Sequence, residues 1–139
     1  ETIRAKLAGG NEKLESKGTI VMATVRGDIH DIGKNLAKVL LENYGYDVID
    51  LGKDVPIEEV VAVAKQHQVK LVGLSALMTT TVTAMEDTIS ALREADLSVK
   101  VFVGGAVLTE KYAKAIGADY YCKDARAGVT VAETVFGQA

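Results

Sequence analysis

One histidine in this sequence stands among residues that could make it do chemistry. His30 lies in Arg26-Gly27-Asp28-Ile29-His30-Asp31-Ile32-Gly33-Lys34-Asn35. Asp28, two residues earlier, can accept a hydrogen bond from one ring nitrogen. That fixes the tautomer and leaves the other nitrogen free as a ligand or base. His30 could equally cap a helix beginning near Gly33. A second polar stretch, Ser75-Ala76-Leu77-Met78-Thr79-Thr80-Thr81, carries four hydroxyls. It suits a polar ligand or a hydrogen-bond relay to Asp28. Thr81 also fits the N-cap of a following helix, and the two roles are compatible. A third stretch, Gly104-Gly105-Ala106, lets backbone approach a flat or bulky ligand closely, or makes a tight turn.

The elements that would position these stretches follow from hydrophobic spacing. Short β-branched runs fall at Thr19–Val25, Tyr46–Leu51, Leu71–Ser75, Val99–Val103 and Asp119–Cys122. Helical spacing separates them. Expected buried faces are Leu36, Val39, Leu40 and Asn43–Tyr44; Val60, Val61 and Ala64; Val82, Met85, Ile89 and Leu92; Leu108, Tyr112 and Ala115; and Val129, Ala132, Val135 and Phe136. Gly45 and Gly117 fit helix ends, and Pro56 with Glu58 and Glu59 fits a helix start.

Strands alternating with helices mean an α/β fold with a parallel sheet covered on both faces. The runs at 19–25, 71–75 and 99–103 are the most continuously apolar and should be central. Asp47 and Asp50 mark one run as an edge; the short run at 119–122 is the other. This predicts a flavodoxin-like, Rossmann-like, doubly wound five-stranded sheet of order 2-1-3-4-5. Its switch point lies between strands 1 and 3, where ligands bind at the carboxyl ends. All three polar stretches follow strands there.

Composition narrows the function. The chain has 139 residues, 48% of them hydrophobic and 25% charged, which describes one folded domain. Sixteen basic and nineteen acidic residues, interspersed, leave no basic footprint for nucleic acid. Apolar runs reach only about seven residues, far short of the ~18–20 of a membrane helix. Residues 1–20 hold Arg4, Lys6, Lys13 and Lys17 without an apolar stretch, so no signal peptide is read there and a cytoplasmic location is expected. One cysteine, Cys122, excludes an internal disulfide or a Cys-based zinc site. The second histidine, His67, lies in a polar stretch and is expected to be solvated. No multi-histidine metal site is available, but one histidine can supply an axial bond to a metal held in a macrocycle. There is no phosphate loop of the Walker or GxGxxG kind. Residues 1–18, with Gly9-Gly10-Asn11 after Ile3 and Leu7, read as a linker from an upstream element, the domain proper being 19–139. The start at Glu1 rather than Met reads as a fragment or a processed chain.

The string Gly27-Asp28-Ile29-His30-Asp31-Ile32-Gly33 resembles the Asp-x-His-x-x-Gly signature of cobalamin (vitamin B12)-binding domains. Ser75-Ala76-Leu77 and Gly104-Gly105 match its second and third pieces. The resemblance covers roughly residues 18–139. It is nearest to the corrinoid proteins of anaerobic methyltransferase systems and to the cobalamin domain of methionine synthase. It implies His30 as the lower cobalt ligand, replacing dimethylbenzimidazole. It implies Asp28 bonded to His30, with the Thr81 hydroxyl continuing the relay where methionine synthase has a serine. The nucleotide tail would run into a slot between strands 1, 3 and 4. Implied cofactor contacts are Gly27 to Gly33, including Ile29, Asp31 and Ile32, with Ser75, Leu77, Met78, Thr79, Thr80, Gly104, Gly105, Ala106 and Tyr121. The resemblance further implies a helical cap upstream. It implies a carrier of methyl groups on cobalt in one-carbon metabolism, serving one methyltransferase that loads it and one that unloads it onto a tetrahydropterin or thiol. An adenosylcobalamin-dependent mutase domain shares the histidine loop. A flavodoxin-like redox module or a receiver domain shares only the fold.

Overall fold

The computed structural model describes residues 18–30, 32–95, 99–105 and 108–136. Among these residues the strands are β1 (Thr19–Thr24), β2 (Asp47–Asp50), β3 (Leu71–Ser75), β4 (Lys100–Gly104) and β5 (Tyr120–Cys122). Five helices follow them in turn: α1 (Ile32–Asn43), α2 (Ile57–His67), α3 (Val82–Glu94), α4 (Glu110–Ala115) and α5 (Ala125–Phe136). A 3-10 turn at Thr79–Thr81 leads into α3. The strands pair in parallel in the order β2-β1-β3-β4-β5. The expected order, centre and edges are therefore those of the fold. The strand runs differ from the expected ones by a residue or so at their ends.

Side chains alternate across each strand, so the sheet has two faces. Val21, Ala23, Val72, Leu74, Val101 and Val103 pack against α2, α3 and α4 in one aliphatic core. Ile20, Met22, Leu71, Phe102 and Cys122 pack against α1 and α5 in the other. The expected faces of α2, α3 and α5 point inward.

Two helix faces do so only in part: Leu40 packs against the core and Leu108 is buried, but the other expected residues are not. Leu36, Val39 and Tyr44 are exposed, and α1 buries Lys34, Ala37 and Leu41 instead. This helix carries two apolar stripes. Small Ala37 lets it sit close to the sheet, and the other stripe is left outside. In α4, Tyr112 and Ala115 face solvent, while Ala113 and Ile116 are buried. The apolar spacing is real in both helices; it does not say which stripe the sheet will take.

Lys34 is buried because it is paired. Its ammonium meets Asp50 Oδ1 at 2.5 Å, Lys38 approaches the other oxygen at 3.8 Å, and the Gly52 amide donates to Oδ1 at 2.9 Å. Burial pushes the Asp50 carboxyl up, but the hydrogen bonds from Lys34 and Gly52 and the two lysine charges outweigh it, so it ionises below its ordinary range. The edge-strand carboxylate thus anchors the first turns of α1. Removing one partner of a buried pair typically costs ~3–5 kcal/mol. We expect Asp50→Ala to lose a stability of that order at neutral pH. A carboxyl whose folded pKa is depressed stabilises above its unfolded value, near ~4, and stops doing so as pH falls through the folded value. The gap between wild type and Asp50→Ala in urea-unfolding midpoints should therefore narrow on going from neutrality to about pH 3.

Candidate functional site

The loop after β1 carries the histidine, and its geometry is set by one carboxylate. Asp28 is fully buried. Its Oδ1 accepts the His30 backbone amide at 3.0 Å and faces His30 Nδ1 at 2.7 Å. Its Oδ2 accepts the Leu77 amide at 2.7 Å, the Met78 amide at 3.3 Å and the Thr81 hydroxyl at 2.7 Å. Burial alone would push this carboxyl up. The Thr81 hydroxyl, the Leu77 and His30 amides and the His30 ring outweigh that and hold it well below the usual carboxylate range. An ionised carboxylate only accepts, so Nδ1 must carry the proton in this contact. Nε2 of a neutral ring then keeps its lone pair. The His30 side chain is 45% exposed while Asp28 is completely covered.

His30 stands at one end of a cleft of about 510 Å³. Met22, Leu74, Phe102 and Cys122 contribute from the strands, and Ile32, Gly33, Lys34 and Ala37 from the start of α1. Ala125 and Gly128 of α5 form the opposite wall, and Ile29, Ser75, Leu77, Gly104 and Gly105 line it from the loops. The cleft exists because side chains are missing from its walls. A Cβ on Gly33 would meet nothing within 4 Å. The Phe102 ring lies over Gly73, where a Cβ would come 2.3 Å from Cζ, so Gly73 lets the ring sit low. Burial pushes the Cys122 thiol up to about 12, assisted by Asp124, and its side chain packs in the core on this face of the sheet.

The expected residues divide clearly. Asp28, His30 and Thr81 form one connected group, and Ile29, Ile32, Gly33, Ser75, Leu77, Gly104 and Gly105 border the cleft. Thr81 occupies the N-cap position of α3 without capping it: its backbone is already helical there, and its one hydroxyl proton is shared between Asp28 at 2.7 Å and the Met78 carbonyl at 2.9 Å. Met78 takes part through its backbone. Thr79 and Thr80 are exposed on the 3-10 turn, outside the cleft lining, so the relay has one hydroxyl rather than several. Gly27 also lies outside the lining; its amide donates to Asp54. Tyr121 lies away from the cleft lining. Alternation turns it to the other sheet face, where its hydroxyl donates to the Leu108 carbonyl at 3.1 Å, and the neighbouring Cys122 takes the cleft side. Asp31 and Ala106 lie outside the described residues, as do residues 1–17 of the expected linker. His67 is exposed, as expected. No sequence signal marked Lys34, Asp54 or Gly128. Phe102 could have been found from the parity of β4, since it shares a face with Gly104.

The B12 binding domain model matches residues 18–131. The chain belongs to the B12-binding domain family. Dimethylamine corrinoid protein 3 of Methanosarcina acetivorans is 44% identical over 133 residues, covering 94% of this chain and 62% of that protein. The solved methanol:cobalamin methyltransferase complex of Methanosarcina barkeri superposes with a TM-score of 0.87 at 32% identity, covering 92% of this chain and 50% of that one. The chain thus spans about half to three-fifths of the length of these relatives. A receiver domain from Vibrio parahaemolyticus gives a TM-score of 0.66 at 12% identity, over 90% of this chain and 92% of its own, which is a likeness of fold alone.

The residues present fit the family's cofactor, cobalamin. One imidazole nitrogen of His30 is uncommitted by the Asp28 contact, and the cleft that His30 lines is bordered by apolar side chains and glycines. The Thr24 hydroxyl, buried on the Met22 face of β1 with no partner among the described residues, lies outside the cleft lining. Among the described residues no three His, Cys, Asp or Glu side chains cluster to hold a bare metal ion.

The glycines predict two different phenotypes. A Cβ on Gly105 would stand 1.7 Å from the Ala76 carbonyl oxygen, at a φ of +147°. The demand for glycine there comes from the fold and not from the slot. We expect Gly105→Val to impair folding itself, seen as a collapsed melting transition. Gly33→Val fills only open space at the cleft that the resemblance assigns to the cofactor. It should melt like the wild type while losing cobalamin affinity, measured by absorbance titration.

Proposed function

We propose that this domain holds cobalamin with His30 as the axial ligand of cobalt and carries a methyl group between two methyltransferase partners. The observation that carries this reading is the His30–Asp28 contact at 2.7 Å, which commits Nδ1 and leaves Nε2 for a metal. The names of the relatives support the carrier role: one is a dimethylamine corrinoid protein, another belongs to a methanol:cobalamin methyltransferase complex. A methylated amine or alcohol is the donor class this suggests, with a thiol or tetrahydropterin as acceptor.

Bound cobalamin would supply the cobalt chemistry, and the protein supplies its setting. Asp28 holds the imidazole in one tautomer and makes its free nitrogen more basic. Thr81 fills the remaining acceptor direction of Asp28, so the carboxylate need not turn away from the ring. Gly33, Gly104 and Gly128 would leave room for the cofactor, and the apolar lining from Met22, Leu74 and Phe102 would exclude water around it. Ile29, Ile32 and Leu77 stand exposed at the cleft mouth, and Leu36 and Val39 continue the exposed surface along α1. That much exposed apolar surface is what an upstream helical cap or a docking methyltransferase would cover. We place the protein in the cytoplasm, where a reducing environment suits low-valent cobalt; no helix among the described residues is long and apolar enough to cross a membrane.

Electron paramagnetic resonance of the Co(II) form tests the axial ligand. The wild type should show coupling to one imidazole nitrogen, altered by ¹⁵N-histidine labelling, and His30→Ala should lose it. An unchanged nitrogen signal in His30→Ala would overturn the assignment. Asp28→Asn should weaken cofactor affinity or methyl transfer by ~10–100-fold, the usual loss for a partner that orients a metal-binding histidine. The carrier role is checked by one turnover. Isotopically labelled methyl on the loaded protein should pass to a thiol once an acceptor methyltransferase is added. Retained label would remove the carrier reading.

A further inference from the structure

The loop from Val25 to His30 has no regular structure, yet it must place a ligand atom accurately. From one side the loop is held through the Asp28 carboxylate by Leu77, Met78 and Thr81. From the other side it is held by the connection between β2 and α2. Val25 and Val55 form an isolated parallel bridge, and the Val55 amide donates to the Thr24 carbonyl at 3.1 Å. Next to this bridge lies a reciprocal pair. The Asp54 amide donates to the Asp28 carbonyl at 2.9 Å, and Asp54 Oδ1 accepts the Gly27 amide at 2.8 Å.

Asp54 makes both bonds from the left-handed region, at a φ of 54°. Glycine is the residue of least cost there, and an aspartate is tolerated at some expense. Among the described residues only Gln68 shares a positive φ without being glycine, and it ends α2. Asp54 ends no helix. Its side chain faces the histidine loop, and that contact accounts for an acceptor-bearing residue at a position where glycine would be relaxed.

We propose that Asp54 is a positioning residue for the axial histidine. The Asp28 backbone is gripped by Asp54 and its carboxylate by the β3–α3 loop, so neither end of the residue can swing. The Gly27 amide, tied to Asp54, fixes the turn on which Asp28 sits. The orientation of the His30 ring then follows from Asp28. This inference rests on His30 being the cobalt ligand.

Asp54→Gly keeps the left-handed backbone and deletes the acceptor. Asp54→Asn keeps both the backbone preference and a side-chain oxygen. Each is loaded with cobalamin beside wild type and His30→Ala, and read by the nitrogen coupling of the Co(II) form and by the Co(II)/Co(I) midpoint potential. Apo-protein melting reports the fold separately.

We expect Asp54→Gly to melt as a folded protein. It should show a mixture of histidine-coordinated and histidine-free cobalt, with the ratio of the two lowered about tenfold, as for loss of one charge-assisted hydrogen bond. Asp54→Asn should restore the wild-type spectrum and potential. Wild-type coupling and potential in Asp54→Gly would overturn the proposal, as would an Asp54→Asn variant as defective as Asp54→Gly. If Asp54→Gly does not fold, Asp54 is a structural residue and the proposal also falls; Asp54→Ala checks that result. If wild type itself shows no nitrogen coupling and matches His30→Ala, it is the His30 reading that has failed first.

Discussion

A carboxylate with no access to water has to be satisfied from every direction by the protein itself. Asp28 meets that condition with two loops at once. Its own loop supplies the His30 amide and ring, and the loop after β3 supplies two amides and the Thr81 hydroxyl. The cost of leaving a buried charge unpaired far exceeds the worth of any one of these bonds. The two loops are therefore held in a single arrangement. The site's chemistry is a consequence: an anion that can only accept forces the imidazole proton onto Nδ1 and frees Nε2.

The parallel sheet makes this meeting possible. β1 and β3 are neighbours in space, though α1, β2 and α2 separate them in the chain. Their carboxyl ends deliver the two loops side by side, and the switch point opens a cleft between them. The two sheet faces then diverge. Toward α2 and α3 the strands present a continuous aliphatic layer. Toward α1 and α5 the layer ends in Gly73, Ser75 and Gly104, with Gly128 opposite. One face is a core throughout, and the other is a core that turns into a binding slot at its upper end. Lys34 belongs to that boundary: it lines the cleft and is charge-paired with Asp50, so the helix start beside His30 is anchored to the sheet edge.

Exposed apolar surface concentrates around the same opening. Ile29, Ile32 and Leu77 border it, and Leu36 and Val39 lie farther along α1. Monomeric proteins seldom leave such residues together in water unless something covers them.

Much of this was legible in the residues alone. Alternating β-branched and helical runs specify a parallel α/β sheet, because two periodicities and the handedness of crossovers leave few ways to bury both faces. Apolar continuity separated central strands from edges, since only central strands are covered on both sides. The spacing of Asp28 and His30 was enough to suggest their contact, because two residues in one loop are neighbours whatever the rest of the chain does. Tertiary structure decided what depends on residues far apart. Which stripe of α1 faces inward was settled by Ala37 fitting the sheet and by Lys34 meeting Asp50, sixteen positions away. That Thr81 alone, of four candidate hydroxyls, reaches Asp28 follows from the path of the turn before α3. The choice of Cys122 over Tyr121 follows from register, which pairs Gly104 with Cys122 and is invisible to a local pattern. Gly105 reads as room for a ligand in the sequence; in the fold it is room for the Ala76 carbonyl, because only the packed chain shows which way a missing side chain would have pointed.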